Sequence, residues 1–341
     1  MTSPAMSRCA PTRHLHNVTF LVICCSAMTS FLLLLHVTQT GSPRHTDLLS
    51  DATYDDDTRG LNQHAGATRP RRERTPTSGV MPDISEVTTL HPSLREFLAR
   101  PVINPHPFTY LLTPERTCEA GHVTFLFSVP SAPSNFQRRR KVRRSSLATF
   151  AKNPGNNASL LFFLGSPPGH SKRANNTRAQ IYKEARNYQD MVLENFPDIY
   201  RNIRLKAVSM LKWTSTYCHT ALYVIRTDDD VGVDVMNLVQ AIRHVGRGRD
   251  NFILGHVVEN SKLIRRESSK YFISREEYAE DTWPKFALGG VLGYPVKTVR
   301  LLYEASLRVK AVWLEDVYIT ALCGRAVNAT LLSHPLFTFV H

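Results

Sequence analysis

Short apolar runs alternate with longer amphipathic segments from about residue 122 onward, and this alternation limits the possible folds more than any other feature. The runs at 122–129, 159–165, 221–226 and 251–255 are predicted to be buried strands. Helical spacing is predicted for 135–152, 179–192, 202–217 and 233–245. Strands that are apolar along nearly their whole length, separated by helices, predict an α/β sheet that is covered on both faces.

The composition is that of a folded protein with a basic surface. Hydrophobic residues make up 42% of the 341 residues, which excludes a wholly disordered chain. The chain carries 42 Lys and Arg against 29 Asp and Glu, which gives a net charge of +13. This surplus alone would suggest a nucleic-acid partner, but the N-terminal sequence favours a compartment without nucleic acid.

An uncharged apolar stretch covers residues 18–35. As a helix it would span about 27 Å, close to the ~30 Å hydrocarbon core of a bilayer. The tail before it contains Arg8 and Arg13 and no acidic residue, which favours a cytosolic N-terminus. We expect residues 1–17 to be a cytosolic tail and 18–36 an uncleaved transmembrane signal anchor, with a cleaved signal peptide as the alternative.

Residues 37–100 have the composition of an extended linker. Pro, Thr and Gly accompany blocks of opposite charge, such as the acidic run 55–57 and the basic cluster 69–74, and no apolar period is sustained. We therefore expect a disordered stem over 37–100 and a folded lumenal domain over 101–341.

Three N-x-S/T sequences agree with a lumenal domain. They begin at Asn157, Asn175 and Asn328, and such sites are glycosylated only in the secretory pathway. A lumenal chain does not meet nucleic acid, so we expect no nucleic-acid partner. The basic surplus is then expected to face nucleotide phosphates or acidic glycans.

Three adjacent carboxylates, Asp228, Asp229 and Asp230, follow the predicted strand 221–226 directly. In α/β sheets, ligands bind outside the carboxyl ends of the strands. In an extended turn Asp228 and Asp230 point to the same side, so a D-x-D pair can hold a hard divalent cation that clamps a diphosphate. The alternative is a solvated acidic turn without a ligand.

A second acidic pair, Glu315 and Asp316, lies among apolar residues. Partial burial should raise the pKa of a carboxyl there toward the range of a useful general base. The alternative role is an N-cap on the helix that follows, which Asp performs well. The two roles are compatible for neighbouring residues.

Several motifs make the region from about Phe108 to the C-terminus resemble the β-1,3-galactosyltransferase and β-1,3-N-acetylglucosaminyltransferase family (glycosyltransferase family 31). Arg139, Val142 and Arg143 match its R-x-x-I-R motif, and residues 162–165 match its F-L-L-G motif. The family line that runs from E-x-x-x-Y-x-D to a later Trp and Cys is matched by Glu184, Tyr188, Asp190, Phe196, Asp198, Tyr200, Asn202, Leu205, Lys206, Trp213 and Cys218. The two acidic groups match the family's D-D-D and E-D-V.

The resemblance implies a GT-A-type nucleotide-sugar-binding fold, with a Rossmann-like mixed sheet flanked by helices behind a transmembrane helix and a stem. It implies a single-pass type II Golgi enzyme that uses Mn²⁺ or another divalent cation, a UDP-sugar donor and a glycan acceptor, and that forms a β1,3 bond with inversion. The implied metal ligands are Asp230 and His334, and the implied base is Asp316. The implied nucleotide-sugar site is Asp228, Asp229, Glu315, Arg139 and Arg143.

The resemblance also implies a disulfide between Cys118 and Cys218. Cys323 would then be unpaired, either buried or available to link a homodimer. Ser146, Gly232 and Val291 depart from the family pattern. The favoured activity is β-1,3-galactosyl transfer, and the alternatives are β-1,3-N-acetylglucosaminyl transfer or a non-catalytic chaperone or glycan-binding relative.

Overall fold

The computed structural model describes residues 91–114, 117–118 and 123–338. The predicted cytosolic tail, the signal anchor and residues 37–90 of the predicted stem lie outside the described residues. Among the residues that are described, no helix is both long enough and apolar enough to cross a membrane.

Helices and strands alternate along the described chain. The helices are α1 (Pro92–Leu98), α2 (Phe136–Val142), α3 (Ser146–Lys152), α4 (Lys172–Tyr188), α5 (Ile203–Tyr217), α6 (Val235–Val245), α7 (Val296–Ser306) and α8 (Gly324–Ala326). The strands are β1 (Tyr110–Leu112), β2 (Phe125–Pro130), β3 (Ala158–Ser166), β4 (Met191–Pro197), β5 (Tyr223–Thr227), β6 (Phe252–Gly255), β7 (Val257–Val258), β8 (Phe286–Ala287), β9 (Val291–Pro295) and β10 (Thr330–Ser333). A π-helical segment, Val317–Cys323, precedes α8.

Eight of these strands form one mixed sheet in the order β1-β4-β3-β2-β5-β9-β6-β10. Strands β4, β3, β2 and β5 are parallel neighbours, and β9 is antiparallel to β5. The carboxyl ends of β4, β2 and β5 therefore meet at one edge of the sheet, together with the beginning of β9. Side chains that follow the first three strands or precede β9 are brought to this edge.

Helices cover both faces of the sheet, as the alternation in the sequence predicts. Within β2, Leu126 packs into one apolar cluster, while Phe125 and Phe127 pack into another on the opposite face. The first cluster contains residues of α5, α7 and the π-helical segment, and the second contains residues of α3, α4 and α6. The prediction of a mixed α/β fold with a large central sheet is confirmed.

Three local predictions differ from the structure. The helix expected over 135–152 is divided into α2 and α3, because the chain leaves helical geometry between Arg143 and Ser146. The helix expected to end at 192 ends earlier, at Tyr188, because the next residue, Gln189, has a left-handed φ of 53°. A buried strand, β4, then begins at Met191. Helix α1 lies in the last part of the predicted stem and buries Leu94 and Phe97 in the core.

A disulfide joins Cys118 to Cys218 across 100 residues of sequence. It links the segment that precedes β2 to Cys218, the C-cap of α5. The start of β2 and the end of α5 are therefore held together. Cys323 is buried in the core as a free thiol, and burial raises its pKa.

Two arginines of α2 and the loop after it are buried against α4 by ion pairs. Arg139 is fully buried and donates to both oxygens of Glu184 at 2.8–3.1 Å. Arg143 donates to Glu184 at 2.5 Å and to Asp190 at 2.7 and 2.8 Å, and its guanidinium stacks 4.0 Å from the Tyr188 ring centre. This cluster holds α2 against α4 beside the sheet edge.

Replacing Glu184 by Gln should lower the free energy of unfolding by about 3 kcal/mol, because Arg139 and Arg143 would keep buried charges without their shared carboxylate.

The stabilisation by Glu184 should also depend on pH. Burial raises the pKa of Glu184, but the two guanidiniums outweigh burial, so the pKa lies below its usual value. The stabilisation should therefore be complete above about pH 4.5 and shrink as the pH falls further. Thermal denaturation against pH measures both effects. The control is Glu259→Gln, which loses an exposed pair with Lys285 and should cost under about 1 kcal/mol; equal losses for both variants would contradict the account.

Candidate active site

A cleft of about 480 Å³ opens at the sheet edge where the carboxyl ends of β2 and β5 meet the beginning of β9. Both acidic groups found in the sequence lie in it, although 85 residues separate Asp230 from Glu315. The polar residues that line the cleft are Ser131, Asn135, Arg138, Asp198, Lys206, Arg226, Asp228, Asp229, Asp230, Glu315 and Asp316. The position of the cleft agrees with the rule for ligand sites in α/β sheets.

Arg226, the next-to-last residue of β5, joins the two acidic groups. It is 6% exposed, and its Nη2 donates to Glu315 Oε1 at 2.6 Å and to Asp228 Oδ1 at 3.1 Å. Gly289 passes directly over this pair, because a Cβ there would lie 2.7 Å from Arg226 Nη1 and 2.9 Å from Glu315 Oε1. The segment before β9 can therefore approach the pair only with glycine at this position.

Burial and crowding of carboxylates shift the pKa values of these acids. The pKa of Asp228 is raised to about 7, mainly by burial, which outweighs the lowering effect of Arg226; the neighbouring carboxylates of Glu315 and Asp230 add to the increase. Burial also raises the pKa of Glu315, although Arg226 opposes the shift. The pKa of Asp230 is raised by burial and by Asp229, against the pull of Arg138. A cation beside these groups would favour their charged forms.

Asp229 connects the triplet to the end of β2. It is 5% exposed, and its Oδ2 accepts hydrogen bonds from Ser131 Oγ at 2.7 Å and Asn135 Nδ2 at 2.9 Å. Its Oδ1 accepts from Arg138 Nη1 at 3.2 Å. Both of its oxygens are thus bonded to the protein, so Asp229 orders the loop between β2 and α2. Asp229 also lines the cleft, and its contact with a nucleotide, which the resemblance implies, stays a prediction.

Asp230 is the most accessible of the three carboxylates, with 28% of its side chain exposed. Its Oδ2 accepts from Arg138 Nη1 at 2.7 Å, so a positive group already lies at the position predicted for a cation. The carboxylate oxygens of Asp228 and Asp230 suit a hard divalent cation that keeps water or phosphate oxygens as its other ligands. Among the described residues, no group of three or more His, Cys, Asp or Glu side chains is arranged to hold a metal.

Asp316 directly follows Glu315 in the sequence and is also buried. Its Oδ1 accepts from the backbone N–H of Val317 at 2.8 Å, so it caps the π-helical segment. Asp316 also lines the cleft. The capping role and a position suited to a general base are therefore combined in one carboxylate, as the sequence allows.

Asp198 and Lys206, which both belong to the family line that starts at Glu184, form an ion pair in the structure. Lys206 Nζ lies 2.9 Å from Asp198 Oδ2 and donates to the carbonyl of Ser131 at 2.9 Å. The same Asp198 oxygen accepts from the backbone N–H of Gly165 at 2.9 Å. These bonds tie the carboxyl ends of β2, β3 and β4 together in the wall of the cleft.

Arg139 and Arg143, predicted to hold the nucleotide, do not line the cleft. Both guanidiniums are engaged by Glu184, and Arg139 contacts the cleft lining through Ser131 Oγ at 3.1 Å and the carbonyl of Ala132 at 2.7 Å. Direct contact of Arg139 and Arg143 with a nucleotide stays a prediction that these bonds do not support, and Arg138 is the arginine of this run that pairs with Asp229 and Asp230. A helix turns 100° per residue, so adjacent arginines point to different surfaces.

His334, predicted to complete a metal site, is not among the residues that line the cleft. Its Nδ1 accepts from the backbone N–H of Leu336 at 3.2 Å, and burial together with nearby His244 lowers its pKa. The predicted glycosylation sites Asn157, Asn175 and Asn328 are all exposed. Asn157 and Asn328 lie in turns with left-handed φ values of 46° and 53°.

Sequence reasoning missed Arg138 and Arg226 as site residues. A signal for Arg226 exists, because an arginine within an otherwise apolar strand must be paired when the strand is buried. No such signal distinguishes Arg138 from its neighbours in a run of basic residues. Its partners, Asp229 and Asp230, are more than 90 residues away in sequence.

A galactosyltransferase family model matches residues 137–332. Among curated relatives, the lactosylceramide 1,3-N-acetyl-beta-D-glucosaminyltransferases of Rattus norvegicus and Homo sapiens are 26% and 27% identical. The matches cover 69% and 68% of this chain, but only 63% and 61% of the relatives' own length. Beta-1,3-galactosyltransferase 1 of Mus musculus is 29% identical over 66% of this chain and 67% of its own.

Solved structures show more distant likenesses. A mannosyltransferase from Pyrobaculum calidifontis, in complex with GDP-Man and Mn²⁺, has a TM-score of 0.38 and 11% identity. This match covers 73% of the present chain and 62% of the mannosyltransferase. A 4-diphosphocytidyl-2C-methyl-D-erythritol synthase from Anaerococcus prevotii also gives a TM-score of 0.38 and 11% identity, over 63% of this chain and 89% of its own.

Replacing Gly289 by Ala should lower the free energy of unfolding by about 1–3 kcal/mol, because the new methyl group would overlap Arg226 and Glu315. The same overlap should weaken the binding of a ligand in the cleft. The matched control is Gly232→Ala, also close to the acidic triplet, where a Cβ meets nothing within 4 Å. Chemical denaturation of both variants measures the difference. Equal effects of the two substitutions would contradict the described packing over the ion pair.

Proposed function

Because this chain belongs to the galactosyltransferase family of β-1,3-galactosyl- and β-1,3-N-acetylglucosaminyltransferases, we propose that it transfers a hexose from a UDP-sugar to a glycan hydroxyl with inversion. The chain is a glycosyltransferase, and galactose is the proposed sugar. One observation supports the proposal most strongly. The D-D-D and E-D segments, distant in sequence, border one cleft and share the buried guanidinium of Arg226.

Asp316 is the proposed general base. An inverting displacement needs one group to accept the proton of the incoming hydroxyl, and Asp316 lines the cleft with its carboxylate oriented by the Val317 N–H. Glu315, beside it, is bonded to Arg226 and therefore serves to position the segment. Asp316 would hold the acceptor hydroxyl and take its proton as the new bond forms.

The acidic triplet is the proposed donor side of the cleft, in a fold of the GT-A type. Asp230 and Asp228 would hold Mn²⁺ or another divalent cation, which supplies positive charge to the leaving diphosphate. Arg138 lies 2.7 Å from Asp230 and is one-third exposed, so it is placed to move from that carboxylate to a donor phosphate. Asp229 keeps the loop that carries Asn135 and Arg138 in position.

N-acetylglucosamine is the alternative donor sugar, since two of the relatives are named for its transfer. A non-catalytic relative is less well supported, because every acid of the two motifs is present and lies in one cleft. Three residues depart from the family pattern: Ser146, Gly232 and Val291. None of them is among the described residues that line the cleft. We further propose a type II membrane protein of the Golgi apparatus, with the folded domain in the lumen.

Asp316→Asn should lower kcat for sugar transfer by about 100-fold or more, because Asn cannot accept the proton. Binding of UDP should not change, and Asn retains the ability to cap the following segment. The assay is UDP release by the full 341-residue chain from UDP-galactose, UDP-N-acetylglucosamine or UDP-N-acetylgalactosamine, with β-galactoside and β-N-acetylglucosaminide acceptors. Wild-type turnover should be lost in a chelator and return with Mn²⁺.

The control for this substitution is Asp281→Asn, an exposed acid outside the cleft, which should leave kcat unchanged. Full activity of Asp316→Asn would remove Asp316 as the base. Absence of turnover with every donor, in protein that is folded and does not bind UDP, would overturn the enzymatic proposal in favour of a non-catalytic relative.

The lumenal topology predicts N-glycans on the described domain. Asn157, Asn175 and Asn328 are exposed, so each should carry a glycan when the chain is made in a eukaryotic cell. Replacing each Asn by Gln should increase electrophoretic mobility in a step, and an N-glycosidase should give the same final band for all variants. A chain whose mobility does not respond to either treatment would contradict a lumenal domain.

A further inference from the structure

One wall of the cleft is aromatic, unlike the acidic floor. Tyr200, Tyr271 and Trp313 all line the cleft that holds Asp316. They come from three different segments: the turn before α5, the loop between β7 and β8, and the residues just before Glu315 and Asp316. None of them has a role in the donor chemistry proposed above.

The aromatic wall is fixed to the segment that carries the proposed base. Trp313 precedes Asp316 by three residues, and its backbone N–H donates to Glu277 Oε1 at 2.8 Å. Its Nε1–H donates to the carbonyl of Phe272 at 3.1 Å, and its ring centre lies 5.5 Å from that of Tyr200. Tyr200 remains 44% exposed, so it offers a large apolar surface in the cleft that Asp316 also lines.

Two exposed cations lie against these rings. The Arg201 guanidinium is 4.4 Å from the Trp313 ring centre, and Lys270 Nζ is 4.7 Å from that of Tyr271 and 5.9 Å from that of Tyr200. Arg201 also donates to the Phe272 carbonyl at 3.3 Å. We refer to Arg201 and Lys270 as the basic rim.

The basic rim differs from the cations inside the cleft. Arg138, Arg226 and Lys206 each pair with one or two carboxylates at 3.2 Å or less. Within the part of the chain that the structure describes, no carboxylate lies within ion-pair distance of Arg201 or Lys270. The charge of these three cations is thus offset by carboxylates of the protein. Arg201 and Lys270 do not line the cleft themselves, but each contacts a ring that does, and no carboxylate of the described residues offsets their charge.

We propose that the aromatic wall and the basic rim bind an acceptor saccharide that carries a negative charge, a carboxylate or a sulfate, near its reacting hydroxyl. This inference rests on the function proposed above. The apolar face of a sugar ring packs on Tyr200, its hydroxyl meets Asp316, and its anionic group meets Arg201 and Lys270. Glu315 and Asp316 would repel an anion that no cation bridges to them, so the anionic group of the acceptor is expected to point away from these acids, toward the rim.

Contact with the rings favours this binding mode. An aromatic face attracts a cation and restricts its side chain without neutralising its charge. Arg201 and Lys270 are therefore partly ordered before a ligand arrives, which lowers the entropy cost of forming an ion pair. Because both side chains are exposed, the attraction should weaken as salt is added.

The test compares acceptors that differ only in one anionic group: a disaccharide with a terminal neutral hexose, its uronic-acid counterpart and its sulfate ester. KM for each acceptor is measured with the full chain, at low and at high salt, and equilibrium binding of the same saccharides is measured without donor. The variant is Arg201→Gln/Lys270→Gln. The matched control is Arg247→Gln/Lys152→Gln, which removes the same charge from exposed residues outside the cleft.

The wild type should bind and use at least one of the anionic acceptors with a KM about tenfold below that of the neutral one. The rim variant should lose this preference without a change in KM for the donor, while the control keeps it. Which anionic acceptor is preferred identifies carboxylate or sulfate as the group recognised. The preference should decrease at high salt.

Equal KM and equal binding for neutral and anionic acceptors, with normal transfer, would overturn the acceptor inference alone. Absence of transfer with all acceptors would count against the proposed function, and the binding measurement would still decide the inference. Anionic binding that the rim variant retains would also overturn it, because the charge would then be recognised elsewhere.

Discussion

The guanidinium of Arg226, buried between the carboxylates of Asp228 and Glu315, is the interaction on which the site depends. A buried charge without a partner costs several kcal/mol, so the folded chain must bring both carboxylates to this arginine. One carboxylate follows β5 and the other precedes the π-helical segment, and Gly289 allows the start of β9 to pass over the pair. The two acidic segments that border the cleft are therefore joined by a single side chain.

The sequence was sufficient to predict the parts of the structure that depend on local patterns. The apolar runs that became β2, β3, β5 and β6 could be found because a buried strand must be apolar along its length. Strand β4 was missed because it follows α4 after only two residues, and its apolar positions continue a helical spacing. The position of the acidic triplet at the end of β5 followed from the strand itself.

Pairing across the chain could not be predicted in the same way. Matched spacing identified Arg139 and Arg143 as important, but spacing cannot tell whether a helix face meets a ligand or another helix, and these two meet Glu184. The same limit applies to the net charge of +13, which gives no information on which cations the fold neutralises. In the structure, the cations Lys206 and Arg226 are paired with acids, and the basic rim at the aromatic wall is one place where no such pair is formed among the described residues.

The central claim is that the cleft performs one direct displacement, with Asp316 as base on the acceptor side and the acidic triplet on the donor side. The stereochemistry and linkage of the product test it most directly. The chain would be incubated with a UDP-sugar labelled with ¹³C at its anomeric carbon, an acceptor and Mn²⁺, and the product analysed by NMR. We expect a β-linked sugar on the O3 hydroxyl of the acceptor. An α-linked product would contradict a direct displacement, because one such step inverts the anomeric carbon of an α-linked UDP-sugar.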